Sequence, residues 1–510
     1  MSTSASSITV LLERGAPGAT ALSAPGGVPL TYRALRQLAA DTIVALNVRG
    51  IGRNDRIAIV LDNGPEMAAA FLCIGAGATA APLNPAYRAD EFEFYLSDLK
   101  ARLLVVGSEM SSPAVAVAKR LDIALVRLVP APDKGAGAFK LEFPDGFALR
   151  PAQKSGAAAP EDTALVLHTS GTTSRPKIVP LSQRNVCTSA HNVGRTVAFD
   201  AADRGLNIMP LFHIHGLIAG ILAPLSAGGE VCCTSGFNAL KFFSWMAEVR
   251  PTWYTAVPTM HQAILSRAAK NPDVVKGSSL RFIRSSSSSL APQVIREIEE
   301  TFGVPLIEAY GMTEAAHQMS SNPLPPGKRK PGTVGKAAGP QVGVIDTEGN
   351  PLPPGMVGEI AIQGENVMSG YENNPMANAE AYARSWFRTG DQGVMDAEGY
   401  VTITGRLKEI INRGGEKISP REVDEVLMDH PSVQQCVTFS VPHDKLGEDV
   451  AAVVVLREGA EASEKDLREF AAIRLADFKV PRKILFLAEI PKGATGKLQR
   501  IGLAKKLGLA

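Results

Sequence analysis

Net charge, cysteine and long apolar stretches are all scarce in this chain of 510 residues. Lysine and arginine (53) nearly balance aspartate and glutamate (51), so bulk charge gives no argument for binding nucleic acid or an anionic membrane. The five cysteines lack metal-ligand spacing and indicate small buried thiols in a reducing compartment. The most apolar segment, 216–225, is too short to span a bilayer, and residues 1–10 do not form a secretory signal. We therefore predict a cytoplasmic protein without a membrane span.

The pattern of apolar residues changes twice along the chain, whose length allows two to four domains. Apolar strands alternate with amphipathic helices as far as residue 309, which predicts parallel α/β layers. Short strands then follow a stretch rich in proline and glycine, which predicts an antiparallel or barrel-like β subdomain at about 323–404. Beyond it the pattern is that of a small α+β unit. We predict an α/β protein with an N-terminal domain at 1–404, a joint at 405–408 and a C-terminal α+β domain at 409–510.

The most informative stretch is Leu-Val-Leu-His-Thr-Ser-Gly-Thr-Thr-Ser-Arg-Pro-Lys at 165–177. A short apolar run, which predicts a buried strand, ends in a loop of hydroxyls, one glycine and two cations. Such a loop can fold back on a polyphosphate and offer it backbone N–H groups, hydroxyl donors and positive charge. It is not a P-loop, because its lysine follows a proline and no Ser or Thr comes next. Taken alone, the stretch has a polar surface turn as its alternative interpretation.

Four further motifs follow this loop in order. They are Tyr-Gly-Met-Thr-Glu at 310–314, Phe-Arg-Thr-Gly-Asp at 387–391, Gly-Arg-Leu-Lys at 405–408 and Pro-Lys-Gly-Ala-Thr-Gly-Lys-Leu-Gln-Arg at 491–500. In this order and at these separations the chain resembles the adenylate-forming superfamily of acyl-CoA synthetases, 4-coumarate–CoA ligases, beetle luciferases and peptide-synthetase adenylation domains. The resemblance covers nearly the whole chain. It implies an AMP-forming acid–thiol ligase that uses ATP, Mg²⁺ and coenzyme A, with a C-terminal domain that swings at the joint between two half-reactions.

The chemistry of such a ligase explains the residue types in these motifs. A carboxylate oxygen attacks the α-phosphate of ATP and pyrophosphate leaves, so the site must neutralise a polyanion and place a cation at the reacting atoms. The resemblance implies that Lys497 is this catalytic cation, that Thr313 contacts the α-phosphate and that Glu314 holds Mg²⁺, a cation that prefers oxygen ligands. The alternatives are a solvated basic C-terminus for Lys497 and a helix cap for the Thr-Glu pair.

The resemblance also implies a set of residues around the nucleotide. Tyr310 is expected to stack on adenine, and Asp391 to accept hydrogen bonds from the ribose hydroxyls. The residues expected to bind ATP or AMP are Thr169, Ser170, Gly171, Thr172, Thr173, Lys177, Ser287, Ser288, Ser289, Glu308, Ala309, Tyr310, Gly311, Thr313, Asp391, Arg406, Lys408 and Lys417. This chain departs from the family at Ser174, where a second glycine is usual.

Coenzyme A is expected to contact the glycines after the joint. Gly414 and Gly415 are the candidate contacts for its thiol arm. Many 4-coumarate–CoA ligases have lysines where this chain has Asn412 and Gly414. Charge-based contacts at these two positions therefore cannot be carried over from those ligases.

The acid substrate is expected to bind near Pro-Leu-Phe-His-Ile-His-Gly at 210–216, which matches the family's acyl-pocket segment. His213 stands at the aromatic or histidine gate of that segment and is assigned to catalysis as well. Ala309 replaces a glycine of many relatives, and its methyl should shorten an acyl tunnel. A short pocket of protonatable and hydroxyl groups suits a small acid with a second anionic group better than a fatty chain. The predicted substrate contacts are His213, His215, Ser288, Ser289, Ala309 and His317.

The motif variants together look most like the oxalate–CoA ligases of plants and fungi. Oxalate is therefore the favoured acid, with another short-chain, dicarboxylic or coumarate-like acid as the alternative. The histidines could instead be ordinary hydrogen-bonded core residues. An amino-acid adenylation domain is disfavoured, because no acidic partner for an ammonium stands near His213 and no carrier domain follows Ala510. A luciferase-like oxygenase shares the motifs, and a non-enzymatic nucleotide-binding module would predict loss of Glu314 or Lys497.

Overall fold

The computed structural model describes residues 6–169, 176–491 and 498–510, within which the strands form four sheets. The first part of the chain contains α1 Ile8–Leu12, β1 Thr20–Ser23, β2 Leu30–Thr31, α2 Tyr32–Asn47, β3 Arg56–Val60, α3 Pro65–Gly75, β4 Thr79–Pro82, α4 Ala89–Leu99, β5 Leu103–Gly107, α5 Pro113–Arg120, β6 Ala124–Pro130, β7 Phe139–Glu142 and β8 Thr163–His168. Helix α2 begins where predicted, because the Thr31 side chain accepts a hydrogen bond from the backbone N–H of Ala34.

The second part continues the alternation of strands and helices. It contains β9 Ile178–Ser182, α6 Gln183–Thr196, β10 Arg204–Asn207, a π-helix His215–Leu222, α7 Ala223–Leu225, β11 Glu230–Cys233, α8 Phe242–Val249, β12 Trp253–Ala256, α9 Pro258–Ala268, α10 Pro272–Lys276, β13 Phe282–Ser285, α11 Pro292–Phe302, β14 Leu306–Met312 and β15 His317–Ser321. Ser182 caps α6 by accepting from the N–H of Asn185.

These two parts form two sheets that share one apolar core. The seven-stranded sheet has the order β7-β6-β5-β3-β4-β8-β9, and its inner strands are parallel. A nine-stranded sheet contains eight of these strands in the order β15-β14-β13-β12-β10-β11-β1-β2, again with parallel inner strands. Its ninth strand comes from the next part of the chain and pairs with β15. Side chains of α3, α6 and the π-helix pack in one cluster with residues of both sheets, so these helices lie between them. The predicted stacking of α/β layers is therefore confirmed.

The third and fourth sheets are smaller. Residues 323–406 contain β16 Lys336–Ala337, which extends the nine-stranded sheet, then β17 Gln341–Ile345, β18 Val357–Gln363, α12 Pro375–Ala381, β19 Tyr382–Ala383, β20 Trp386–Met395 and β21 Val401–Arg406. Strands β17 to β21 form an antiparallel sheet of five strands, which matches the predicted β subdomain.

The C-terminal part has its own sheet and its own apolar core. It contains β22 Ile411–Arg413, β23 Glu416–Ile418, α13 Pro420–Met428, β24 Val433–His443, β25 Gly447–Leu456, α14 Glu464–Ala472, β26 Lys483–Phe486 and α15 Leu503–Lys506. Only the β25–β26 pair is parallel among the strand pairs described in this sheet. Antiparallel strands flanked by short helices are the predicted α+β arrangement, so the fold class is confirmed.

Contacts across the joint connect the C-terminal part to the rest of the chain. The Gln262 side chain on α9 bonds to the carbonyl of Gln434 at 3.2 Å and to the side chain of Gln435 at 3.2 Å. The Ser419 hydroxyl donates to the carbonyl of Thr404. Half-buried Arg500 donates to Glu409 at 3.0 Å and to Asp424 at 2.8 Å, which ties the C-terminal tail to the residues just after the joint. Among the described residues, no helix is long and apolar enough to cross a membrane.

Candidate active site

The candidate site lies at the carboxyl edge of β12, β13 and β14, where ligands commonly bind in parallel sheets. Ala256, Ser285 and Glu308 are in register across these strands. The serines at 287–289 follow β13 directly, before α11 begins at Pro292. They therefore connect a strand to a helix, as predicted. Ser287 is half-buried, and the two serines after it are exposed.

The base of the predicted phosphate loop contacts Glu314 through a tyrosine. Thr169 and Lys177 pair at the loop base, since the N–H of Thr169 donates to the Lys177 carbonyl at 2.9 Å and the Lys177 N–H donates to Thr169 Oγ1 at 3.0 Å. The Lys177 ammonium lies 4.2 Å from the ring centroid of Tyr371, a cation–π arrangement. The Tyr371 hydroxyl donates to Glu314 Oε1 at 2.7 Å. The loop base and Glu314 therefore form one cluster. Ser170, Gly171, Thr172 and Thr173 lie outside the described residues.

Strand β9 fixes the spacing of the two ends of this loop and is absent from the prediction. It pairs antiparallel with β8, so the loop connects two neighbouring strands rather than a strand and a helix. The sequence 178–182 contains Pro180 and is too short to give a strand pattern of its own. Residues 130–160, whose Ala, Pro and Gly content indicates a plain connection, also contain a strand, because β7 lies there and pairs antiparallel with β6.

A second carboxylate, Asp391, is surrounded by donors. It lies on β20 opposite Arg406 of β21, whose Nε donates to Asp391 Oδ1 at 3.0 Å. The Tyr310 hydroxyl donates to Asp391 Oδ2. This neighbouring carboxylate raises the pKa of Arg406, and burial raises the pKa of Tyr310 well above its usual value. Each carboxylate oxygen keeps a second lone pair, so Asp391 can still accept from a ribose.

The segment between these groups contains the remaining predicted nucleotide contacts. Glu308 and Ala309 are buried on β14, and burial raises the pKa of the Glu308 carboxyl to about 8. Thr313 and Glu314 form a 3₁₀ turn after β14. Gly311 cannot carry a side chain, because a Cβ there would lie 1.7 Å from the carbonyl oxygen of His317. The Y-G-M-T-E motif is therefore a strand end folded tightly against β15.

The histidines predicted to contact the acid lie at different depths. His213 is half-buried, and its Nδ1 accepts from the backbone N–H of His215 at 3.3 Å. His215 and His317 are buried instead of lining the rim as expected, and their rings stack with centroids 4.9 Å apart. His215 Nδ1 lies 3.0 Å from the Ser287 hydroxyl and Nε2 lies 2.7 Å from the Thr255 hydroxyl. These groups therefore form one polar cluster beneath the serine turn.

Backbone strain is concentrated at the same cluster. Ser287 has a φ of 76° and His317 a φ of 103°, both in the left-handed region that side-chain-bearing residues rarely adopt. Such conformations persist only where surrounding contacts over-determine them, and they occur preferentially at functional sites. Of these strained residues, Ser287 carries the hydroxyl that contacts His215, and His317 carries the ring that stacks on His215.

The predicted C-terminal contacts stand apart from this edge. Gly414 and Gly415 form the turn between β22 and β23 with φ of 61° and 99°, a conformation that favours glycine at both positions. Lys408 and Lys417 are exposed. No hydrogen bond or ion pair among the described residues joins this turn to the N-terminal part. Lys497 lies outside the described residues.

Three residues of the site are missing from the prediction, namely Arg284, Gln318 and Tyr371. Arg284 is the second-last residue of β13 and is fully buried beside both stacked histidines. Gln318 accepts from Arg284 at 3.1 Å. A cation that ends an apolar strand just before a serine run was the available signal for Arg284. Tyr371 lies 57 positions from Glu314 and carried no such signal.

A cavity of about 670 Å³ opens beside the acyl-pocket segment. Pro210, Leu211 and Phe212 line it, together with mostly apolar residues that include those following β3 and β4. Asn63 fixes the segment by accepting from the Leu211 N–H at 2.8 Å. The cavity is therefore lined by the residue that precedes His213 in the segment.

Comparison with known proteins agrees with this geometry. Residues 13–372 match the AMP-binding enzyme family, and residues 422–497 match its C-terminal domain. The chain is 45% identical to the oxalate–CoA ligase of Arabidopsis thaliana over 95% of each chain. It is 42% identical to the oxalate–CoA ligase of Saccharomyces cerevisiae over 89% of this chain and 87% of that protein. ATP-bound MatB from Rhodopseudomonas palustris superimposes with a TM-score of 0.87 at 28% identity, covering 99% of this chain and 98% of that one. This chain belongs to the AMP-binding enzyme family, as an AMP-forming acid–CoA ligase.

Proposed function

We propose that this protein joins oxalate to coenzyme A by way of an oxalyl adenylate. The observation that carries the proposal is the polar cluster of His215, His317 and Ser287 at the carboxyl edge. A fatty-acid tunnel needs apolar walls, because a buried polar group without a partner costs free energy. Stacked imidazoles beside hydroxyls suit a small polar acid instead. The identity with two oxalate–CoA ligases supports the same acid.

In the first half-reaction we assign the nucleotide to the cluster of Thr169, Lys177, Glu314 and Asp391. The loop at 169–177 would hold the phosphates, and Asp391 the ribose. An oxalate oxygen attacks the α-phosphate, the bond to the β-phosphate oxygen breaks, and pyrophosphate leaves with the electron pair. Thr313 and Lys497 would stabilise the charge that develops on the α-phosphate oxygens.

Magnesium fits the donors near Glu314. No group of three or more His, Cys, Asp or Glu side chains that could hold a metal exists among the described residues. A single buried carboxylate, held by the Tyr371 hydroxyl, suits Mg²⁺, which binds through one or two carboxylates plus phosphate oxygens. When bound, Mg²⁺ would neutralise the charge of the phosphates.

The second half-reaction needs a thiol at the carbonyl carbon of the adenylate. The thiolate sulfur attacks that carbon and AMP leaves. We assign the 670 Å³ cavity to the pantetheine arm, since Phe212, the residue before His213, lines it. We assign the Gly414–Gly415 turn to the same arm. This assignment requires the C-terminal part to rotate at 405–408, the proposed boundary between domains at 1–404 and 409–510.

We also propose that the protein acts in the cytoplasm. All five cysteines are buried and unbridged, which suits a reducing compartment.

The test is a pyrophosphate-release assay over oxalate, malonate, cinnamate and a fatty acid, with and without coenzyme A. Oxalate should give the highest kcat/KM, and a thioester should form only when coenzyme A is present. A clear preference for cinnamate or the fatty acid would overturn the choice of oxalate. Failure of every acid to release pyrophosphate would overturn the ligase assignment.

A further inference from the structure

Arg284 is a cation without a counter-ion inside the acid-binding half of the site. Its side chain is fully buried, and its Nη1 and Nη2 atoms contact His215 Nε2 at 3.4 Å and His317 Nε2 at 3.1 Å. Its third partner is Gln318 Oε1, a neutral acceptor at 3.1 Å. No Asp or Glu among the described residues pairs with it, and the residues outside the described ranges contain neither residue type. Every partner of the guanidinium is therefore neutral.

A buried charge in this position is expensive to keep. Buried cations are normally paired with anions, because neutral hydrogen bonds do not repay the lost hydration. Burial lowers the pKa of Arg284 to about 9, which still leaves the guanidinium charged at neutral pH. The cost is compensated if the counter-ion arrives with the substrate. The side chain is 0% exposed, so it would act on that anion through its neighbours.

The directions of the hydrogen bonds show how those neighbours transmit the charge. A guanidinium can only donate, so its contacts assign an unprotonated Nε2 to His215 and to His317. The Thr255 hydroxyl, 2.7 Å from the same Nε2 of His215, then donates to it as well. Both rings are then neutral with their proton on Nδ1. The Nδ1–H of His215 can therefore donate to Ser287 Oγ at 3.0 Å. The hydroxyl hydrogen of half-buried Ser287 is left to point at an acceptor in the cleft.

The orientation of the Gln318 amide supports the same assignment, in which Arg284 donates and its neighbours accept. Its Nε2 donates to Thr196 Oγ1 at 3.0 Å and to the Ala338 carbonyl at 3.2 Å. Its Oε1 therefore faces Arg284, and the amide cannot rotate without losing these bonds. Three neutral acceptors thus hold the guanidinium in place, and none of them cancels its charge.

We propose that Arg284 is a positioning and specificity-determining residue that keeps both histidines as neutral Nδ1–H donors and selects acids with a second anionic group. The inference rests on the proposed function, because it names the charge that distinguishes oxalate from a monoanionic acid. The charge of Arg284 attracts the second anionic group through the low-dielectric interior, and the aligned histidine donors favour binding of the same group.

The kinetic test compares oxalate with glyoxylate, which replaces one carboxylate by an aldehyde. Arg284→Gln should raise the KM for oxalate about 100-fold, because the loss of a buried charge partner costs roughly 30-fold or more in affinity. The KM values for glyoxylate and ATP should change less than about threefold, within the range of an uncoupled substitution. Arg284→Lys should recover part of the oxalate preference, since it keeps the charge but not the fork of donors.

Arg296→Gln is the matched control, because Arg296 is exposed on the neighbouring helix α11. It should leave all three KM values unchanged. Thermal melting is recorded for each variant. If Arg284→Gln does not fold, Arg284→Lys is the deciding variant. A raised KM for oxalate at a constant KM for ATP would then support the inference, and unchanged KM values would overturn it.

A second readout does not depend on turnover. Histidine-selective ¹⁵N NMR of the full chain reports which ring nitrogen carries the proton, with His215→Asn and His317→Asn variants assigning the signals. Both rings should be Nδ1–H in the wild type, and Arg284→Gln should shift at least one toward Nε2–H. If the wild type does not use oxalate, the proposed function is wrong, but the NMR measurement still tests whether Arg284 sets the tautomers of the two histidines. If it does use oxalate and Arg284→Gln keeps the oxalate-to-glyoxylate ratio, the inference is wrong.

Discussion

The nucleotide side and the acid side of the site differ in how their charged groups are paired. On the nucleotide side, Glu314 and Asp391 each accept a hydrogen bond from a tyrosine hydroxyl, and Asp391 also pairs with Arg406. On the acid side, the charged group is Arg284, and all its partners are neutral. The two carboxylates described on the nucleotide side therefore already have hydrogen-bond partners within the protein. The acid side keeps an unbalanced positive charge, which explains how a pocket for a small dianion can be built without a lysine at its surface.

The largest expected effect concerns Lys497, a cation that belongs to neither half of the site among the described residues. Lys497→Ala should abolish adenylate formation, by about 10³-fold or more, because a charge aimed at the reacting oxygens is lost. Thioester formation from a supplied oxalyl adenylate should stay largely intact. Pyrophosphate exchange and single-turnover thioester assays measure the two steps separately. Equal loss of both steps would contradict the assigned role.

A substitution on the acid side should leave the nucleotide side unaffected. His317→Ala should raise the KM for oxalate by about 10–100-fold, which corresponds to the loss of a hydrogen bond to a charged group. The KM for ATP should stay within a factor of about three, because the ribose and phosphate contacts lie elsewhere. Initial rates at varied oxalate and varied ATP provide the measurement. Unchanged oxalate kinetics would remove His317 from the pocket.

The reverse pattern is expected on the nucleotide side. Tyr371→Phe removes the hydroxyl that donates to Glu314 Oε1 and keeps the ring beneath the Lys177 ammonium. The apparent affinity for Mg²⁺ should fall about tenfold, a typical effect of losing a partner that orients a metal ligand. Magnesium titrations at fixed ATP test this, with Tyr382→Phe as a control in the same region, since its hydroxyl donates to the Met368 carbonyl instead. A change in the KM for oxalate without a change in the apparent affinity for Mg²⁺ would show that the nucleotide side and the acid side are not separable.

The smallest expected effect concerns the pKa of Glu308, which lies at the end of the acid side. Burial raises this pKa from 4.5 to about 8, so the folded state holds a proton that the unfolded chain releases between these values. Stability therefore falls as pH rises from 4.5 to 8. Glu308→Gln should remove this fall, with a gain in Tm over the wild type of about 4 °C or more at pH 8 relative to pH 5. Melting curves that stay parallel at both pH values would show that Glu308 is ionised in the fold.

The local features of the fold follow from the sequence alone. The caps at Thr31 and Ser182 and the helix Pro420–Met428 lie where composition predicts them. Strands β7, β9 and β15 do not, because each is short and owes its existence to a neighbouring strand. Pairing across a sheet is a non-local property that a window of sequence does not contain.

The same distinction holds within the site. Glu314, Asp391 and the histidines could be named because motifs carry them, whereas their roles stay predictions. Arg284 and Tyr371 act through contacts with residues 33 and 57 positions away, so their importance appears only in three dimensions. The burial of Arg284 in particular contradicts the usual expectation that a strand-ending arginine faces solvent.

The clamp that Arg500 forms with Glu409 and Asp424 has a mechanical consequence. It fastens the peptide just beyond position 497 to the first turn after the joint, so the tail belongs to the body of the small domain. A rotation about 405–408 would then carry residues 498–510 together with the small domain, so the angle of the rotation would set the position that the tail reaches. Glu409→Gln together with Asp424→Asn would remove the ion pairs of Arg500. The position that Lys497 reaches after the rotation should then be less well defined, although no group in the cleft itself is altered.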